Sequence, residues 1–162
     1  MEVSKIYLET TLFNYYFDSD RDAHADTVTL FEDCKAGLFE AYTSSYVIDE
    51  LQRAPEPKRT KMLELIGRYN ITLLNPSSEA VALARKYVAE KALPAESLAD
   101  ATHIAVASIN YLDIIVSLNF SHIVRPRTVE RTGHINALMG YKPILIETPM
   151  GVISSEKVRY NR

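Results

Sequence analysis

The stretch KIYLETTLFNYYF, residues 5–17, joins two periodicities at one charged residue. Ile6, Tyr7 and Leu8 form a continuous apolar run suited to a strand buried on both faces. Leu12, Phe13, Tyr16 and Phe17 then recur at the spacing of one helix face. Glu9 falls at the junction. A buried carboxylate without a partner costs several kcal/mol, so this position asks what Glu9 binds.

On both sides of Glu9 the chain reads as alternating strands and helices. Strand one covers residues 4–9, and Thr10 or Thr11 caps a short helix that ends near Asp18. Asp20 to Lys35 reads as a helix with Ala25, Val28, Leu30, Phe31 and Cys34 apolar, stopped by Gly37. Phe39 to Thr43 reads as strand two, and Ser44 or Ser45 caps the helix Tyr46 to Arg53. Pro55 and Pro57 separate that helix from the next, Lys58 to Tyr69. Ile71 to Leu74 is strand three. Ser77 or Ser78 caps a helix to about Lys91, and Pro94 separates it from a helix spanning Ser97 to Tyr111. Ile114 to Leu118 is strand four, and Ile144 to Glu147 is a fifth strand at an edge. No repeat, low-complexity tract or linker interrupts residues 1–162, so a single domain is expected, with the last ~10 residues as a tail.

Strands that alternate with helices pair in parallel through right-handed crossovers. The expected fold is α/β: a three-layer α/β/α sandwich around a central, mostly parallel sheet of four or five strands. With 162 residues, such a domain buries its core without disulfides or structural metals. The single cysteine, Cys34, excludes an internal disulfide, fits a reducing cytoplasm and reads as a small apolar helix residue. No apolar run reaches the ~20 residues of a membrane helix, and the start lacks a signal-peptide pattern. The net charge of −3 does not advertise a nucleic-acid binder, but it permits one where carboxylates are committed to metal.

In open parallel sheets, sites form beyond the carboxyl ends of the strands, where strand order reverses. Glu9 ends strand one and Asn119 ends strand four. Glu50 lies one turn into the helix after strand two, beside the inward Val47 and Leu51, while Asp49 pairs with Arg53 at i, i+4 on the outside. Asp100 opens the helix before strand four. Its spacing from Ser97 also suits a capping box, and the two roles are compatible. Asp113 begins strand four, six residues before Asn119, about 20 Å away at ~3.3 Å per residue. It is excluded. Three inward carboxylates and an amide repel one another unless a cation sits among them. Hard oxygen ligands without Cys or His suit Mg²⁺ or Mn²⁺ rather than Zn²⁺, which points to phosphodiester hydrolysis.

The segments KIYLETTLFNYYF, YTSSYVIDELQRA (42–54), SLADATHIAVAS (97–108) and DIIVSLNFSHIV (113–124) resemble, in order and spacing, the PIN domain family of metal-dependent ribonucleases. The family includes VapC-type toxins of toxin–antitoxin pairs. The resemblance implies metal ligands at Glu9, Glu50, Asp100 and Asn119, with Ser117 and Thr10 as nearby hydroxyls, and RNA as substrate. The first position is usually Asp, and Asn119 is neutral where an acid is common. Two functional expectations follow: a Mg²⁺- or Mn²⁺-dependent endoribonuclease, plausible as the toxin of a type II pair, or an impaired module that binds RNA or a protein partner. Tyr15, Tyr16 and Phe17 exceed one apolar face and suit a homodimer or antitoxin surface as well as partial burial.

Arg125, Arg127 and Arg131 follow Asn119 with only Glu130 opposing them, as solvated loop charges or as contacts to RNA backbone. DSDRD (18–22) begins like a calcium loop, but Ala23 and Thr29 stand where Gly and Glu are needed. His24, His103, His122 and His134 lack metal-ligand spacing, and His103 reads as a packed helix residue that reaches near the site. There is no Gly-x-Ser-x-Gly elbow and no Gly-rich phosphate loop.

Overall fold

A computed structural model of the chain describes residues 2–160, with the side chains of residues 2–155. Its strands are β1 (Ser4–Leu8), β2 (Phe39–Ser44), β3 (Thr72–Leu74), β4 (Ile114–Val116) and β5 (Leu145–Glu147). They form one sheet in the order β3-β2-β1-β4-β5, and every neighbouring pair is parallel. The helices between them are α1 (Thr10–Tyr15), α2 (His24–Lys35), α3 (Ser45–Leu51), α4 (Lys58–Arg68), α5 (Ser78–Ala89), α6 (Leu98–Ile109), α7 (Pro126–Met139) and α8 (Pro149–Tyr160).

Ile6, Tyr7 and Leu8 alternate between the two faces of β1 and are all fully buried, so helices cover both faces. α5 packs on α6 and α7, α2 packs on α1 and α8, and α3 packs on α4. This is the expected α/β/α sandwich, with five strands and no antiparallel pair among the described residues. The order reverses between β1 and β4. Leu8 lies opposite Val116 there, so Glu9 and Ser117 leave the sheet side by side.

Local boundaries differ from those expected of the sequence, each for a physical reason. The N-cap of α1 is Glu9 itself, whose side chain accepts from the Thr11 N–H, because the chain passes from strand to helix without a spare residue. α2 starts at His24 rather than Asp20, and Asp18, before it, pairs with Lys58 at 3.1 Å. A 3-10 turn, Ala95–Ser97, precedes α6. Asn70, Lys91 and Tyr111 take left-handed backbone just after α4, α5 and α6, where glycine commonly ends helices.

Two helices lie where a loop and a tail were expected. α7 buries Thr128, Thr132, Ile135 and Asn136, a stripe too polar to register as hydrophobic periodicity. Its hydroxyls are satisfied locally: Thr128 donates to the His122 carbonyl at 2.7 Å, and Thr132 to the Thr128 carbonyl at 2.7 Å. α8 runs into the segment expected as a tail, and its start buries Val152 and Ile153 against the rest of the domain. Residues 161 and 162 of that expected tail lie outside the described residues.

Cys34 is buried on α2, and burial raises its thiol to about 12, consistent with a packing role. Tyr15, Tyr16 and Phe17 are used largely inside the chain. The Tyr16 ring meets Phe17, Phe31 and Tyr69 edge to face at centroid distances of 4.9, 5.2 and 5.8 Å.

Asn136 locks α7 down: it accepts from the Tyr87 hydroxyl at 2.5 Å and donates to Ser108 Oγ at 3.0 Å, all buried. Asn136→Ala leaves those partners under-satisfied and is expected to lower unfolding free energy by about 1–3 kcal/mol in urea titration. An unchanged midpoint would show that α7 is held by other contacts.

Candidate active site

Glu9 sits at the reversal point and is only 2% exposed. Its Oε1 accepts from the Thr11 N–H at 3.2 Å, the Thr11 hydroxyl at 2.5 Å and the Ser117 hydroxyl at 2.7 Å. Oε2 receives no hydrogen bond among the described residues. Burial raises the Glu9 carboxyl above its ordinary range, and nearby His103, Thr11 and Ser117 act against that rise. The Thr11 hydroxyl also accepts from the Leu118 N–H at 2.9 Å, tying α1 to the end of β4.

Glu50 rises from α3 with its side chain 29% exposed, while Asp49 faces solvent, as their helix positions imply. Its Oε1 meets His103 Nε2 at 2.5 Å. On the other side of the ring, His103 Nδ1 meets the Tyr7 hydroxyl at 2.7 Å, and Tyr7 meets Ser44 Oγ at 2.7 Å. Burial holds Tyr7 in its protonated phenol form. Burial would lower His103, but the Glu50 hydrogen bond and the charges of Glu9, Glu50 and Asp100 outweigh it, so His103 is raised. Burial also pushes Glu50 up, and the hydrogen bond and charge of His103 more than reverse this, so Glu50 ends below its ordinary value.

The remaining residues form a chain of hydrogen bonds. Ser117 Oγ donates to Glu9 and accepts from the Asn119 N–H at 3.0 Å. Asn119 Nδ2 donates to Asp100 Oδ1 at 3.2 Å, and Asn119 Oδ1 accepts from the His122 N–H at 3.0 Å. His122 Nδ1 lies 2.9 Å from Asp100 Oδ2 and 2.8 Å from Ser97 Oγ. Ser97 thus serves His122 instead of a capping box, and it makes no side-chain cap bond. Glu9, Ser117, Asn119 and Asp100 are therefore linked in one network, and Glu50 joins their neighbourhood through His103. Asp113 stands at the other end of β4, bonded by the Lys5 N–H at 2.8 Å and Lys142 at 2.7 Å.

Sequence reasoning undervalued His103 and did not single out Tyr7 or His122. The signals were present: Tyr7 shares a strand face with Glu9, His103 lies one turn from Asp100, and His122 lies three residues after Asn119. The three arginines, expected in a loop, lie at a helix: Arg125 holds the N-cap position of α7, and Arg127 and Arg131 lie on it. Arg125 and Arg127 line one cavity, and Arg131 lines another with Glu90 and His134.

The donors suit a hard cation in kind. Glu9 keeps an oxygen without a hydrogen bond, and the buried Thr10 hydroxyl, near enough to Glu50 to favour its charged form, makes no geometrically sound hydrogen bond. Among the described residues, no three His, Cys, Asp or Glu side chains are already gathered at metal-ligand spacing. Asn119, expected as a fourth ligand, donates from Nδ2 to Asp100 and accepts at Oδ1 from the His122 N–H, which leaves Oδ1 a second lone pair.

The raised His103 has a consequence for pH. A folded value above the ordinary imidazole value, about 6.5, adds stability that is complete below that value and lost as pH rises through the folded one. In EDTA, wild-type protein is expected to lose stability as pH rises above about 6.5, and His103→Gln to show a shallower loss by urea denaturation. Equal slopes would remove His103 from this role.

A PIN domain family model matches residues 6–121, more than half of the chain. Among curated proteins, none matches this sequence. Among solved structures, VapC20 of Mycobacterium tuberculosis, a sarcin-ricin loop cleaving toxin, shares 15% identity and a TM-score of 0.54 over 68% of this chain and 86% of its own. VapBC2 of Rickettsia felis, solved bound to a DNA fragment from its promoter, shares 16% identity and a TM-score of 0.56 over 89% of this chain and 98% of that one. At such identities these structures speak for the fold, and with the family match they lead to one conclusion: the chain belongs to the PIN domain family.

Proposed function

We propose that this protein is a metal-dependent endoribonuclease and the toxin of a type II toxin–antitoxin pair. The observation that carries the reading is the buried His103 near the β1–β4 reversal, hydrogen-bonded to Glu50 and within electrostatic reach of Glu9 and Asp100, in a chain of the PIN family. A cytoplasmic site of action, a homodimer and an antitoxin partner belong to the same proposal, and the likeness to a VapBC2 structure supports the antitoxin partner. No helix among the described residues is long and apolar enough to cross a membrane.

In this reading Glu9, Glu50 and Asp100 hold a Mg²⁺ or Mn²⁺ ion. When bound, the ion supplies an acidified water and counter-charge for phosphoryl oxygens. The chain's own groups keep each acid in place. Ser117 and Thr11 fix Glu9. His103 keeps Glu50 ionised with one oxygen committed. Asn119 and His122 orient Asp100. Arg125 and Arg127 contact the phosphate backbone of the RNA, as cations do in single-strand grooves.

Single-stranded RNA with Mn²⁺ or Mg²⁺ is expected to be cut by the wild type. Glu50→Gln and Asp100→Asn are each expected to lose at least ~10²-fold in rate, and EDTA to abolish cleavage. Retained RNA binding without cleavage would replace the nuclease by a binding module, and equal residual cleavage in all variants would expose a contaminant.

Glu9→Asp tests the longer arm. Shortening the side chain withdraws Oε1 from Thr11 and Ser117, so a loss of about 10²-fold is expected for a misplacement near 1 Å. A gain in rate would mark Glu9 as a damper of the site.

A further inference from the structure

The segment leading into Asp100 and the segment following Asn119 meet in a cavity of about 440 Å³, within the size range of small-ligand pockets. Its apolar floor is Val88, Leu93, Pro94 and Ala95, and its cations are Lys91, Arg125 and Arg127. Among the described residues no carboxylate lines it, although acids outnumber Lys and Arg by 21 to 18 in the chain. Among the described residues none of the three cations makes an ion pair.

The cations are also anchored in a way that leaves their charged ends available. Arg127 Nε donates to the Lys91 carbonyl at 3.2 Å, joining the start of α7 to the end of α5. Arg125 Nε donates to Thr128 Oγ1 at 3.0 Å. Each guanidinium is held by Nε, and its two terminal amino groups remain for a bidentate acceptor such as a phosphate. Ser97, two residues after Ala95, meets His122 Nδ1, which also meets Asp100, so the chain that lines the cavity leads within a few residues to the carboxylate site.

We propose that this cavity is a nucleotide subsite. It takes one unpaired nucleotide of the RNA strand cut at the neighbouring carboxylates. The base lies on the Pro94 floor, and the phosphates on either side meet Lys91, Arg125 and Arg127. The assignment rests on the ribonuclease reading, and it makes the substrate a strand that can turn a base outward. A free phosphate would need no apolar floor. A duplex keeps its bases paired and has none to offer.

The test uses the full chain in EDTA, so that binding is read without cleavage, with a labelled single-stranded RNA oligonucleotide followed by anisotropy across KCl concentrations. Lys91→Gln with Arg127→Gln is expected to weaken binding at least tenfold at low salt. It should also reduce the log–log salt slope by about 1.4, at ~0.7 for each single-strand phosphate that is no longer neutralised. Lys5→Gln with Lys142→Gln, at the opposite end of the sheet, removes the same charge and is expected to change affinity less than twofold. An abasic scan of the oligonucleotide should find one position whose base matters severalfold in the wild type and not in Ala95→Asp. Equal binding by the two double variants, no sensitive abasic position, or no RNA binding by the wild type would each overturn the subsite. Cleavage with Mn²⁺ separates the two proposals. Intact cleavage with unaffected binding removes the subsite alone, and altered binding without cleavage in any variant removes the nuclease alone.

Discussion

A carboxylate that is 2% exposed must be surrounded by donors, and the environment of Glu9 follows from that requirement. Thr11 and Ser117 converge on one of its oxygens from α1 and from the residue after β4. Those contacts tie the first crossover to the fourth strand at the point where strand order reverses. The extra methylene of Glu relative to Asp is used here. It carries Oε1 to hydroxyls on both neighbouring segments.

The three acids are not left to repel one another. Each has a neutral or cationic partner of its own: hydroxyls for Glu9, His103 for Glu50, and an amide and imidazole for Asp100. His103 is fully buried and feels all three charges, so it is the electrostatic centre of the site. Tyr7, itself hydrogen-bonded to Ser44, holds the ring from behind. These partners fix the carboxylate oxygens in place, and the His103 hydrogen bond favours the ionised form of Glu50.

α7 links this centre to the basic surface. It is seated by threonines, Asn136 and one isoleucine, so its attachment depends on satisfied hydrogen bonds more than on apolar area. The same attachment fixes Arg125 and Arg127 beside the segment that enters Asp100. A helix held by polar contacts places charged side chains accurately while burying little hydrophobic surface.

The alternation of strands and helices, the parallel sheet, and the positions of Glu9, Glu50, Asp100, Ser117 and Asn119 at one edge are all legible in the amino-acid order. They are consequences of local periodicity and of the rule that parallel strands present their carboxyl ends together. The rest depended on tertiary packing. α7 was illegible because its buried stripe is threonine and asparagine, which periodicity counts as polar. His103 looked like packing because a histidine on an apolar helix usually is. Only the fold brings Tyr7 of β1 and Glu50 of α3 to the two nitrogens of its ring, 96 and 53 residues away in the chain. Which side chain meets which oxygen is set by long-range packing, and no local pattern encodes it.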